Sequence, residues 1–195
     1  MNADKIIVIH NFISVKNMKN VNKYLVGAHL SKIEYEHDVT NKTSNYYEKL
    51  KTTVTPPSRW VARHDNKLVY GLLDKFVPSV RAAVEESFGV CVFPEIAYSI
   101  HVYSSGDELP EHYDGDGTVP TPNGNPKREI SSILYLNDDF QGGQVFFRNQ
   151  GININPKPGM LVVFPSTQEF IHSVNKVNFG FRYSIPQFWS IDRHK

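Results

Sequence analysis

The sequence predicts a mainly β fold of the α+β class, an antiparallel jelly roll over residues 95–190 supported by a strand and helices from residues 1–94. Two observations carry this. Helical periodicity is confined to the first half of the chain, whereas from Glu95 onward short alternating segments are broken by turn residues. The last hundred residues hold no helical pattern, which disfavours a parallel βαβ architecture.

In order, KIIVI at residues 5–9 reads as a short buried strand, and Ser14 can cap a helix carrying Val15, Met18, Val21 and Leu25. Residues 31–60 are polar, end in TPPSRW and show no sustained period, so they read as loop with at most a short strand. A second helix is marked by Leu68, Val69, Leu72, Leu73, Phe76, Val77, Val80 and Val84, with Pro78 expected to kink or divide it. The strand candidates that follow are EIAYSIHVY, REISSILYLN, QVFFRN, MLVVFP, FIHSV and FRYSI.

A chain of 195 residues with 40% apolar content can bury one substantial core, so residues 1–195 are expected to form one domain. A net charge of +1 without a run of like charges offers no footprint for nucleic acid or an anionic membrane. Cys91 is the only cysteine, which removes an intramolecular disulfide and a cysteine-based zinc site. The start, MNADKIIVIHNF, lacks the pattern of a signal peptide, and no apolar stretch is long enough to span a bilayer. A soluble, cytoplasmic protein is the expectation.

The informative stretch is HYDGDG, residues 112–117. On a strand, His112 and Asp114 would leave from the same face and converge on one point, for which a metal ion is the candidate. His172 in FIHSV is a third ligand from another strand, although a hydrogen-bonded core histidine is the commoner explanation for such a residue alone. Two histidines and one carboxylate form the facial set of iron(II) oxygenases, which leaves three open positions for substrate and oxygen. Fe²⁺ is then balanced by Asp114 and one carboxylate of a bidentate 2-oxo acid, and a second carboxylate on that acid needs its own cation. Arg182 in GFRYSI supplies one: a turn at Asn175 to Asn178 would return the chain along the neighbouring strand, and the guanidinium can grip a carboxylate bidentately. Ser184 shares its strand face and can donate a further hydrogen bond. An arginine taken singly is more often a solvated charge.

Together, His112-x-Asp114, His172 and Arg182 resemble the motif of Fe(II)- and 2-oxoglutarate-dependent dioxygenases, which have the double-stranded β-helix fold. Tyr103-Ser-Ser-Gly106, the run Arg128 to Asn137, Gly142-Gly143 before QVFF, Lys157-Pro-Gly159 and Gly180-Phe-Arg182 leading to Trp189 resemble the prolyl 4-hydroxylase group of that superfamily. The resemblance implies that Tyr103 and Tyr135 contact 2-oxoglutarate, and Tyr103 lies on the more polar face of its strand with Ala97, Ser99 and His101. Either tyrosine would otherwise be a core aromatic. Gly142 and Gly143 suit a tight connection, and His101 and Asp116 are set aside as site residues despite their proximity in sequence.

The implied reaction consumes O2 and 2-oxoglutarate, releases succinate and CO2, and hydroxylates a C–H bond. Ascorbate is implied as a reductant, without a residue that marks a site for it. Arg128 and Trp189 resemble residues that approach the prolyl substrate, with a surface charge and a core anchor as the alternatives, and residues 115–127 leave the iron site as a candidate lid. The expected partner is a peptide or protein substrate, with a small molecule as the second possibility. Leu109 stands where the group often has tyrosine, and Arg182 where collagen-type members have lysine. Nucleic-acid demethylation is disfavoured because Phe188 occupies the place of a second arginine. A hydroxylase of another substrate, and a jelly-roll binding module without catalysis, are the alternatives.

Overall fold

The computed structural model describes residues 5–14, 16–18, 35–37, 60–62, 67–94, 100–115 and 128–194. The first expected strand is β1 (Ile7–Ile9). Ser14 opens a helical turn over residues 16–18, its hydroxyl accepting from the Asn17 amide at 3.4 Å, and the expected continuation through Val21 and Leu25 lies outside the described residues. Two short strands follow, β2 (Tyr35–His37) and β3 (Trp60–Ala62).

Helix α1 (Lys67–Phe88) runs unbroken through Pro78, so the expected division does not occur. An interior proline costs about 3 kcal/mol. Burial of Val80, Ala83, Val84 and Phe88 in the second half of the helix offsets that cost. The helix stops at Gly89, whose φ of 65° is the left-handed conformation that lets its amide reach back to the Glu85 carbonyl at 2.8 Å.

The remaining strands are β4 (Val92–Pro94), β5 (His101–Tyr103), β6 (Leu109–His112), β7 (Ile130–Tyr135), β8 (Gln141–Gly142), β9 (Val145–Phe147), β10 (Ile152–Ile154), β11 (Leu161–Pro165), β12 (His172–Val174), β13 (Val177–Phe179) and β14 (Arg182–Ile191). One sheet runs β1-β11-β7-β14-β5-β3-β2 with β4 also on β14; a second runs β10-β9-β12-β6; β13 and β8 form a ribbon. The pairings that hold these sheets are antiparallel, as the jelly-roll expectation requires.

Strict alternation on the larger sheet divides the apolar residues into two cores. Leu134, Leu161, Val163, Tyr183, Ile185 and Trp189 face α1, while Tyr103, Tyr135, Val162 and Phe164 face the smaller sheet and its Val145, Phe147 and Val174. The inward face of β14 therefore carries Arg182, Ser184, Pro186 and Phe188 into the gap between the sheets. The return from His172 differs from expectation. β12 belongs to the smaller sheet, β13 replaces the simple turn, and Arg182 arrives on the opposite wall rather than on a neighbouring strand.

Candidate metal centre and co-substrate pocket

β12 and β6 set His172 and His112 directly opposite one another in an antiparallel pair, with ring centroids 4.4 Å apart. Asp114 joins them by a different route from the one expected. β6 ends at His112, so Asp114 lies in the turn beyond it and does not share a strand face with the histidine. That turn is fixed by the Gly115 amide, which donates to the Ser166 carbonyl at 2.7 Å. One ligand atom from each of His112, Asp114 and His172 lies within 4.8 Å of the other two.

Both imidazoles are anchored alike. His112 Nδ1 lies 2.8 Å from the Pro110 carbonyl and His172 Nδ1 lies 3.0 Å from the Phe170 carbonyl. A carbonyl only accepts, so each Nδ1 carries a proton, and the tautomer this selects has its lone pair on Nε2, the atom that faces the cluster. The His112 and His172 Nε2 atoms are 3.5 and 3.7 Å from the Asp114 carboxylate oxygens. His172 is packed against the rings of Phe147 and Phe164, and this burial pushes its pKa down to about 4, which keeps it neutral and available as a ligand. Burial opposes the charge on Asp114, but in acid the facing histidines, once protonated, and the Ser131 hydroxyl outweigh it and hold the carboxyl well below its usual range. Two neutral nitrogen donors and one carboxylate fit a divalent iron with open positions.

The pocket beside this cluster opens to solvent, and its far wall is Arg182. Arg182 is 1% exposed, yet the described hydrogen bonds use only part of its fork: Nε donates to the Gly143 carbonyl at 2.9 Å and Nη1 to Ser184 Oγ at 3.0 Å. Its guanidinium carbon lies 5.0 Å from the Tyr103 ring centroid and 5.2 Å from that of Tyr135. The Tyr135 hydroxyl is buried beside this guanidinium and makes no well-formed hydrogen bond among the described residues, and burial raises its pKa although the charge and N–H groups of Arg182 act the other way. A buried cation with spare donors beside an unsatisfied hydroxyl is a fitting receptor for the distal carboxylate of a diacid. The residues present thus fit both the metal and 2-oxoglutarate.

Of the other residues singled out from sequence, Ser184 lies in the pocket, where its oxygen accepts from Arg182. Arg128 is exposed at the rim, its guanidinium 3.9 Å from the Phe188 ring centroid. Trp189 requires a correction: it is completely buried on the α1 side, its Nε1 donating to Ser132 Oγ at 2.9 Å, and it does not face the pocket. Its neighbour Phe188 does, a residue that sequence reasoning used only to note a missing arginine. Parity carried the signal, because position 188 shares the face of Arg182 and position 189 does not. His101 lines the pocket although it is outside the His112–Asp114–His172 group, and Asp116 and the candidate lid beyond Gly115 lie outside the described residues. Ser131 and Ser166, beside Asp114, were missed, and nothing in a pair of serines distinguishes them before the fold is known.

Residues 98–190 match the family model of the 2OG-Fe(II) oxygenase superfamily. The chain is 42% identical over 62 residues to 2-oxoglutarate and iron-dependent oxygenase domain-containing protein 3 of Xenopus tropicalis, covering 29% of this chain and 20% of that protein. It is 34% identical over 70 residues to prolyl 3-hydroxylase 2 of Homo sapiens, covering 33% of this chain and 10% of that protein. The chain thus matches a fifth or less of the length of these curated relatives. Among solved structures, a prolyl hydroxylase from Trichoplax adhaerens in complex with a hypoxia inducible factor oxygen degradation domain peptide fragment superposes with a TM-score of 0.68 at 18% identity, covering 97% of this chain and 84% of that chain. That likeness shows a shared fold. The matched segment contains both histidines, Asp114 and Arg182, so the likeness to the 2OG-Fe(II) oxygenase superfamily, which uses Fe(II), 2-oxoglutarate and O2, falls on the residues of the candidate site.

Proposed function

We propose that this chain is a 2-oxoglutarate-dependent dioxygenase that hydroxylates peptidyl proline. The observation that carries the reading is the joint presence, in one pocket, of a His112–Asp114–His172 cluster and a buried Arg182 with donors to spare. His112, Asp114 and His172 would hold Fe(II). Arg182, with the Tyr135 hydroxyl and Ser184, would take the distal carboxylate of 2-oxoglutarate, and Tyr103 would close that end of the pocket. Bound Fe(II) with 2-oxoglutarate and O2 supplies the oxidising power to convert a C–H bond to C–OH, with succinate and CO2 released. The chain's own share is to hold the two ends of the diacid apart, neutralise its charge and exclude water.

For the substrate, support comes from the relatives: one carries the name prolyl 3-hydroxylase, and one structural neighbour is complexed with a peptide fragment. The rim residues Arg128 and Phe188 offer a cation and an aromatic face to a peptide. A second reading, hydroxylation of another substrate, is favoured by Leu109, an apolar pocket residue where the prolyl group often has tyrosine. Incubation of proline-containing peptides and small-molecule candidates with Fe(II), 2-oxoglutarate and ascorbate, read by a mass gain of one oxygen atom, decides between the two. Oxygen on proline and its loss in Asp114→Ala are expected; turnover of 2-oxoglutarate with a non-proline substrate alone would overturn the prolyl assignment.

A further inference from the structure

We infer that Ser131, backed by Ser166, is a positioning residue that holds Asp114 to a single ligating oxygen, an inference that rests on the metal reading above. Ser131 Oγ lies 2.7 Å from Asp114 Oδ2 and 2.6 Å from Ser166 Oγ, and both serines are 1% exposed. The direction of this relay follows from proton count. A carboxylate only accepts, so the one Ser131 hydrogen goes to Asp114 and the hydrogen between the serines comes from Ser166.

The backbone holds the same arrangement from below. Gly115, next to the ligand, donates its amide to the Ser166 carbonyl, while the Ser166 amide donates to the Glu129 carbonyl at 2.9 Å. A Cβ at position 115 would stand 2.5 Å from the Ser166 carbonyl oxygen and 2.7 Å from that of Arg128, both backbone atoms. Only glycine lets the chain approach β7 and β11 closely enough for Asp114 to meet Ser131.

The consequence concerns open coordination positions. A carboxylate with both oxygens free can chelate a metal ion and consume a position that a bidentate 2-oxo acid and O2 require. With Oδ2 engaged by Ser131, Oδ1, which lies 3.5 Å from His112 Nε2, would be the oxygen left to hold the ion. Removing the hydroxyl therefore alters both metal affinity and the binding of the diacid to the metal-loaded protein.

The test is titration of the chelator-stripped protein with Co(II), followed by heat and by visible ligand-field absorption, with and without 2-oxoglutarate. Ser131→Ala is expected to lose about tenfold or more in Co(II) affinity, to change the Co(II) spectrum and to weaken 2-oxoglutarate binding to the Co(II) protein. Gly115→Ala is expected to do the same by displacing the backbone, and Ser166→Ala to do so to a smaller extent. Wild-type affinity and spectrum in a folded Ser131→Ala protein would overturn the inference, as would the same result in Ser166→Ala should Ser131→Ala not fold. Failure of the wild-type protein to bind Co(II) at all would instead count against the metal reading of the site.

Discussion

Phe188 and Trp189 are consecutive on β14 yet serve opposite layers, Phe188 lining the pocket beneath Arg128 and Trp189 lying fully buried on the α1 side. Their substitutions should therefore separate. Trp189→Phe loses the hydrogen bond to Ser132 and some packing volume, and is expected to lower stability by about 1–3 kcal/mol while leaving peptide KM unchanged. Phe188→Ala should raise the KM of the proposed peptide substrate with a small change in urea midpoint. The opposite pattern would show that the facing of this strand has been misassigned.

Parity also explains how much of the site was legible beforehand. His112, Asp114, His172 and Arg182 were found because their side-chain chemistry is rare in combination, and the jelly roll because strand-like segments follow one another without helix. What the sequence did not show depends on contacts distant along the chain. β6 was missed because LPEH contains Pro110, which suits the end strand of its sheet but breaks the usual strand pattern. The placement of Asp114 in a turn, and of Arg182 across the gap from His172, depends on which sheet each strand joins. That choice is made by burial over the whole chain, as the division of β7 into alternate residues facing α1 and the pocket illustrates.

Arg182→Lys tests the receptor for the distal carboxylate. A lysine could not replace donors to Gly143 and Ser184 while also presenting two parallel N–H groups to a diacid. Calorimetric titration of the Mn(II)-loaded variant with 2-oxoglutarate is expected to show a loss in affinity of at least about tenfold, the equivalent of about 1.4 kcal/mol. Mn(II) affinity itself should stay near the wild-type value, because the metal cluster is on the other wall. An unchanged affinity for 2-oxoglutarate would remove Arg182 from the proposed role.

Gly143 reaches the same receptor through the backbone. Its φ of 66° is strained for other residues, and an added Cβ would lie 2.9 Å from Arg182 Cδ and 3.0 Å from a Phe140 ring carbon. Gly143→Ala should destabilise the fold by about 1 kcal/mol or more. It should also weaken 2-oxoglutarate binding by shifting the guanidinium, whereas Gly151→Ala, at a φ of 63° with open space around it, should show the strain alone. Equal effects of the two variants on 2-oxoglutarate affinity would show that Gly143 has no special coupling to Arg182.

Acid should act on the metal-free protein in two stages, because His172 and Asp114 both have lowered pKa values but from different starting points. His172 is pushed from 6.5 down to about 4 by burial, so the unfolded chain binds a proton more readily than the folded one between those values. Stability is then lost as pH falls from about 6.5 towards 4, by up to about 3 kcal/mol. Asp114 is held below its ordinary 3.8, so its contribution is present above that value and is lost only as pH falls further. Urea unfolding of chelator-treated protein between pH 7.5 and 4.5 should therefore show a decline that begins well above the carboxylate range. His172→Phe, which cannot take up that proton, should flatten the decline. An equally steep decline in His172→Phe would place the titrating group elsewhere.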